Sequence, residues 1–192
     1  MTPESLTRTS PAARPLRAAQ ELELQTQFRA ALAAGDGVAG AHCIHEWWMR
    51  NAFPSHIEAA LGELWHRAAK SIPEWLPMNY VSWLPLVYDV AARFRAARSG
   101  RRNIYLVRLD YSDRDLGLQG IYVGMTAYPP ALRFDQHRAG IRAAGSVLKR
   151  GEELLMGPVL HLQRIAQADA ARIERELAAA LADAGLKIEG GH

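Results

Sequence analysis

Apolar positions follow a helical spacing along the first half of this chain and a strand-like spacing after about residue 101. From about Leu16 to Ala34, residues Leu24, Phe28, Ala31 and Leu32 share one face, and Gly35 supplies a stop. The stretch GDGVAG, 35–40, reads as a loop. Ser55 and Glu58 stand at capping-box spacing, and Ile57, Leu61, Leu64, Trp65 and Ala68 then form the stripe of a second helix. Pro73 and Pro77 break the chain, and a third helix is predicted from Pro85 to Arg98, with Leu86, Val87, Val90, Ala91 and Phe94 inward and Gly100 at its end. Beyond that point IYLVRLD (104–110) and GIYVGMT (120–126) read as strands joined by the polar turn 111–119, a long-looped antiparallel hairpin. Pro129 and Pro130 suit the entry to a helix over 131–143. LLMGPVLHLQRI (154–165) contains a short strand, a helix runs from Asp169 to Ala184 with Ile173, Leu177, Ala180 and Leu181 on one face, and 186–192 is a closing strand and tail.

Composition narrows this to a folded α/β (α+β) chain. With 49% hydrophobic and 22% charged residues, the 192-residue chain is not disordered as a whole. Its length suits one domain, or a small domain with a helical extension. Residues 1–15, polar and with three prolines, read as a disordered tail, 16–100 as a mostly helical region, and 101–192 as the mixed domain. No apolar run approaches the roughly 18 residues of a membrane span, so no membrane partner is expected. The first twenty residues lack the apolar core of a secretory signal. Cys43 is the only cysteine, which excludes a disulfide framework and a Cys-rich zinc site and makes a reducing, cytoplasmic setting the default.

Net charge, +3, says little, but its distribution says more. Arg93, Arg95, Arg98, Arg101 and Arg102 form a strip without an acid. Such a strip can neutralise phosphates, or can be a solvated helix end where cations favour the dipole. All five tryptophans lie within 47–83; they are read as the core of a small helical unit rather than as a platform for bases. His42, Cys43, His45 and His66 match no zinc spacing.

The second half carries the candidate chemistry. Two strands each present a tyrosine, Tyr105 and Tyr122, and Gly124 follows the second, where backbone can approach a ligand closely. Arg133 and His137 stand at i and i+4, hence on one helix face, and a later helix offers Glu174. A guanidinium clamps phosphate, a single carboxylate can share a divalent cation with phosphate oxygens and water, and a phenol or imidazole can move the proton of an attacking water.

In these residues the sequence resembles the GIY-YIG nuclease superfamily. Asn103-Ile104-Tyr105 and Tyr122-Val123-Gly124, followed by Met125-Thr126, look like its paired motifs; Arg133 within LRFDQH matches its helix arginine and His137 a frequent histidine one turn on. Ala170, Glu174 and Leu177 fit the A-x-x-x-E-x-x-L frame of its metal-binding glutamate, which favours Glu174 over Glu176. Asn103 stands where glycine is usual, tolerable if backbone freedom is what that position needs. The hairpin loop is longer than usual, one extra residue precedes Arg133 and can be absorbed by Pro129-Pro130, and the family's C-terminal asparagine has no clear match in KIEGGH, although His192 lies nearby.

The resemblance implies a small antiparallel sheet flanked by helices and hydrolysis of phosphodiester bonds in DNA with Mg²⁺ or Mn²⁺. It implies that Tyr105 activates the attacking water, Glu174 holds the metal, Arg133 stabilises phosphoryl charge, Tyr122 supports the site, and His137 orients Tyr105 or relays its proton. Gly124, Thr126, Arg101, Arg102, Arg138 and Arg142 are the candidate nucleic-acid contacts. Residues 16–100 lie outside the resemblance and are candidates for a protein partner. A nucleic-acid-binding or protein-interaction module without catalysis is the alternative on the same scaffold.

Overall fold

The computed structural model describes residues 10–115 and 117–191, and these divide into two compact units that meet at Pro85/Leu86. The first unit holds α1 (Glu21–Ala34), α2 (Gly37–Met49) and α3 (Pro54–Ala68). Helix α1 buries Leu24, Phe28 and Ala31, and Gly35 closes it at φ 65°, donating its N–H to Ala31 and Leu32 carbonyls.

Helix α2 occupies the stretch read as the loop 35–40. Asp36 caps it by accepting the Ala39 N–H at 2.9 Å. Residues Gly40 through Trp48 are all buried, the signature of a central helix surrounded by its unit. Its glycines are there for packing: a Cβ on Gly37 would lie 2.5 Å from Ser71 C and Ile72 N, and one on Gly40 would lie 2.4 Å from Leu64 Cδ1. Gly37→Ala is expected to destabilise this unit by about 1–3 kcal/mol, read as a lower urea midpoint at unchanged slope.

Other differences have local causes. Pro54 occupies the first turn of α3 behind Phe53, so the Ser55–Glu58 capping box does not form. Trp65 is 58% exposed rather than part of the stripe, whereas Trp47, Trp48 and Trp75 are core. Trp48 donates its indole N–H to Val81 O at 2.8 Å and Trp47 donates to Glu21 at 3.0 Å. Residues 10–15, expected in the disordered tail, include a 3₁₀ turn at Pro11–Ala13. Arg14 and Arg50 pair with the buried Glu46 at 2.7 and 2.8 Å. Residues 1–9 of that expected tail lie outside the described residues. No helix is long and apolar enough to cross a membrane among the described residues.

The second unit is built on a four-stranded sheet of order β3-β1-β2-β4: β1 (Asn103–Asp110), β2 (Gln119–Thr126), β3 (Gly151–Leu154) and β4 (Lys187–Gly190). The predicted hairpin is present, with β1 antiparallel to both β2 and β3. The sheet is mixed rather than wholly antiparallel, because β4 returns parallel to β2 after the long helix α7 (Gln167–Asp183). Strand β1 is buried from Ile104 to Leu109, on both faces. Helix α5 (Pro130–Arg138) packs on β1 and β3, α6 (Gly145–Arg150) on β1 and β3, and α7 on β2, β4 and β1.

Two helices are shorter than their patterns. Helix α4 (Leu84–Ala91) stops early, and His161 Nε2 lies 3.2 Å from both the Ala91 and Phe94 carbonyls. The arginine strip thus follows the helix, and the Arg95 guanidinium donates to the Ala92 and Phe94 carbonyls just past its end. Helix α5 ends at Arg138 because Gly140, at φ 77°, makes a Schellman closure: Ile141 N–H donates to Gln136 O at 2.8 Å and Gly140 N–H to His137 O at 3.1 Å. In the 154–165 segment the strand lies earlier, as β3, and Gly157–Leu162 is a 3₁₀ helix.

Candidate functional site

The register of the hairpin places the two tyrosines. Tyr105 lies opposite Gly124 and Val107 opposite Tyr122. Directly opposed residues share a face of a sheet, so both phenols and the glycine lie on one side. Gly124 is buried, and its role is steric: a Cβ there would lie 2.6 Å from Tyr122 Cε1 and 2.8 Å from Tyr105 Cζ and Oη. It makes room for rings rather than for a ligand. The Tyr105, Tyr122 and His137 rings form a triangle with centroid separations of 5.9, 5.8 and 6.1 Å.

His137, 1% exposed, comes to Tyr105 from α5 with Nε2 2.8 Å from Oη. The Ala144 N–H donates to His137 Nδ1 at 2.9 Å. That nitrogen therefore carries no proton, so the neutral ring is protonated on Nε2 and donates to Tyr105 Oη. Burial, with the Arg133 charge adding, lowers the His137 pKa to about 4. His137 is thus a fixed donor that orients Tyr105; of its two expected roles, proton relay does not fit this tautomer.

The same depression makes a stability prediction. The unfolded imidazole binds a proton near pH 6.5 and the folded one only near 4, so the unfolded state holds more protons between those values. Stability is complete above pH 6.5 and is lost as pH falls toward 4. Buried His45, chiefly through desolvation, is lowered to about 4 and adds to the loss. Unfolding free energies from urea titrations between pH 7.5 and 4.5 are expected to fall, by up to about 1.4 kcal/mol per pH unit for each histidine. His137→Gln should flatten the part that belongs to the second unit.

Arg133 reaches the same place from the neighbouring position on α5. Its Nη2 donates to Arg142 O at 2.8 Å, and its Nη1 to Ile141 O and Gln136 Oε1 at 3.3 Å each, which ties the loop after α5 to the site. Burial raises the Tyr105 pKa first, Tyr122 adds to the rise, and Arg133 opposes it. At Tyr122 burial again leads, the Glu174 carboxylate adds to it, and Tyr105 and Arg133 oppose. Both phenols hold their protons at neutral pH.

Glu174 is 8% exposed on the inward face of α7 and accepts the Met125 N–H at 3.0 Å through Oε1. Glu176 is exposed and pairs with Arg172 at 2.8 Å, so the helix turns only Glu174 toward the tyrosines. Tyr105, Tyr122, Arg133, His137 and Glu174 thus converge from β1, β2, α5 and α7.

Other motif positions have different duties. Asn103 does not use backbone freedom, since its φ is negative; its Nδ2 donates to Tyr128 O at 2.9 Å and its Oδ1 accepts the Arg164 N–H at 3.0 Å. Thr126 is buried and accepts the Tyr128 N–H at 3.0 Å, so it shapes the site from within. Arg101, Arg138 and Arg142 are exposed, with Arg138 5.9 Å above the Phe134 ring, whereas Arg102 Nε donates to Gln167 Oε1 at 2.8 Å. Gly190 escaped notice within KIEGGH. It sits at φ 85°, and a Cβ there would lie 2.2 Å from Val123 O and 3.0 Å from the Tyr122 ring. The doubled glycine was the signal. His192 lies outside the described residues.

No group of three or more His, Cys, Asp or Glu side chains gathers to hold a metal among the described residues, His42, Cys43, His45 and His66 included. One carboxylate with phenols and a guanidinium suits a largely hydrated ion such as Mg²⁺, which needs one or two carboxylates beside water and phosphate. It does not suit a caged zinc. Cys43 is buried, and desolvation raises its thiol to about 11, which makes it unreactive. The chain matches no family model, no curated protein and no solved structure.

Proposed function

We propose that the second unit is a metal-dependent endonuclease of the GIY-YIG type, hydrolysing phosphodiester bonds in DNA. The observation that supports it is the convergence of Tyr105, Tyr122, Arg133, His137 and Glu174, five polar side chains from four elements, at one end of the hairpin. Glu174 is the residue to hold Mg²⁺ or Mn²⁺, which when bound supplies charge screening at the scissile phosphate. Arg133, whose charge acts on both phenols, is the residue to meet developing negative charge on the phosphoryl oxygens.

Tyr105, in the fraction of molecules whose phenol has lost its proton to solvent, takes the proton of the attacking water as the phenolate. Its hydroxyl already accepts a hydrogen bond from neutral His137, which favours the phenolate, and Arg133 acts in the same direction. Tyr122 stands beside it and works against that ionisation. A panel of single-stranded, duplex and branched DNA with Mg²⁺ or Mn²⁺ tests the reading. Metal-dependent product supports it, and cleavage that persists in EDTA defeats it.

A second reading has its own observation. Burial holds both phenols protonated, which suits a module that binds nucleic acid through donors without cutting it. Salt-dependent binding with no product under either metal would favour that reading.

A further inference from the structure

The second unit exposes four large hydrophobic side chains among its described residues, Tyr128, Leu132, Ile141 and Leu148, and all lie within one short stretch of chain. Tyr128 is 52% exposed, Leu132 46% and Ile141 55%. Two of them, Tyr128 and Ile141, are bonded through their backbone to residues in or beside the tyrosine–glutamate site, and Leu132 is next to Arg133 in the chain. The Tyr128 backbone is held on both sides, by Asn103 at 2.9 Å and Thr126 at 3.0 Å, so its ring is presented by a fixed frame. Leu132 precedes Arg133 on α5, and Ile141 gives its carbonyl to Arg133.

Charge says what covers this face. Residues 127–150 hold Arg133, Arg138, Arg142, Lys149 and Arg150 against Asp135 alone, a net of +4. The whole chain carries +3, so everything outside the segment sums to −1. The apolar side chains are therefore set in a cationic stretch of the second unit, in which Arg138 and Arg142 are exposed. A surface meant only for duplex phosphates needs the cations and not the apolar rings. A strand with unstacked bases offers both phosphates and flat apolar faces.

From this we infer that Tyr128, Leu132 and Ile141 form a platform for unpaired nucleobases, with Arg138 and Arg142 on the flanking phosphates. The substrate class is single-stranded or locally opened nucleic acid rather than uniform duplex. This inference rests on reading the site as one that acts on nucleic acid.

The test measures binding in EDTA, where cleavage plays no part. The probes are a single strand carrying 2-aminopurine, the same sequence as perfect duplex, and the same duplex with a central bubble. The wild-type protein is expected to bind the single strand and the bubble about tenfold more tightly than the duplex and to quench 2-aminopurine. Tyr128→Ala should lose the quenching and about tenfold in single-strand affinity, whereas Tyr128→Phe should keep both. Tyr128 makes its recorded hydrogen bonds through its backbone, so these variants should fold.

Equal affinity for duplex and single strand overturns the inference. So does undiminished binding by a Tyr128→Ala/Ile141→Ala double variant, which would leave the patch to a protein partner. Tight single-strand binding with no product in Mg²⁺ or Mn²⁺ defeats the nuclease and leaves the platform standing. Cleavage indifferent to pairing does the reverse.

Discussion

Exchange of Glu174 for glutamine is expected to lower metal-dependent cleavage about 10³-fold while the protein still folds. The carboxylate has two jobs in the structure, and this substitution separates them. One is structural: Oε1 accepts the Met125 N–H at 3.0 Å, a bond that an amide oxygen can also accept. The other is charge, which glutamine lacks. Glu174 sits where its charge acts on Tyr122, and its side chain is almost wholly withdrawn from water. Removing that charge takes away the carboxylate proposed to hold the metal and leaves the packing of Ala170, Ile173 and Leu177 in place. Glu176→Gln is the control, because Glu176 is exposed and pairs only with Arg172 on its own helix. Equal losses in the two variants, measured as initial rates on one oligonucleotide with matched thermal melts, would remove Glu174 from the mechanism.

The elements legible in the sequence are those whose pattern records local physics. The hairpin shows as two runs of β-branched and aromatic residues around a polar turn, and α7 as a stripe of apolar residues, whereas the preference for Glu174 over Glu176 comes from the resemblance. The elements that were missed are those whose reason lies elsewhere in the fold. Gly37 and Gly40 look like loop residues until Ser71, Ile72 and Leu64 are seen against them. The parallel pairing of β4 with β2 depends on where α7 delivers the chain, and no local pattern in KIEG encodes a partner.

The site divides in the same way. The identities of Tyr105, Tyr122, Arg133, His137 and Glu174 stand in the sequence. The direction of the His137–Tyr105 hydrogen bond does not, because it is set by the Ala144 N–H, beyond the end of α5. Asn103 likewise looks like a tolerant substitute for glycine, whereas its amide clamps the start of β1 to Tyr128 and Arg164.

Tyr105→Phe is expected to cost about 10²–10⁴ in rate, and its pH dependence separates the possible causes. In the wild-type protein His137 is neutral down to about pH 4, so its imidazole does not titrate between pH 5 and 8. Burial holds the Tyr105 proton above its ordinary range. If the phenolate takes the proton from water, log kcat/KM rises with unit slope through neutral pH and is still rising near pH 9, without an inflection near 6.5. An acid limb at 6.5 would mean that His137, not Tyr105, accepts the proton.

The phenylalanine substitution also removes the acceptor for a buried Nε2–H, which costs about 1–3 kcal/mol of stability. His137→Leu removes that stranded donor but also the Nδ1 that accepts the Ala144 N–H, so the test is a double-mutant cycle of the two substitutions by urea unfolding. The two losses are expected to fall short of additivity by about 1–3 kcal/mol, and strict additivity would show that the imidazole does not donate to the phenol. The orientation of Tyr105 by a fixed neutral histidine would then have to be abandoned.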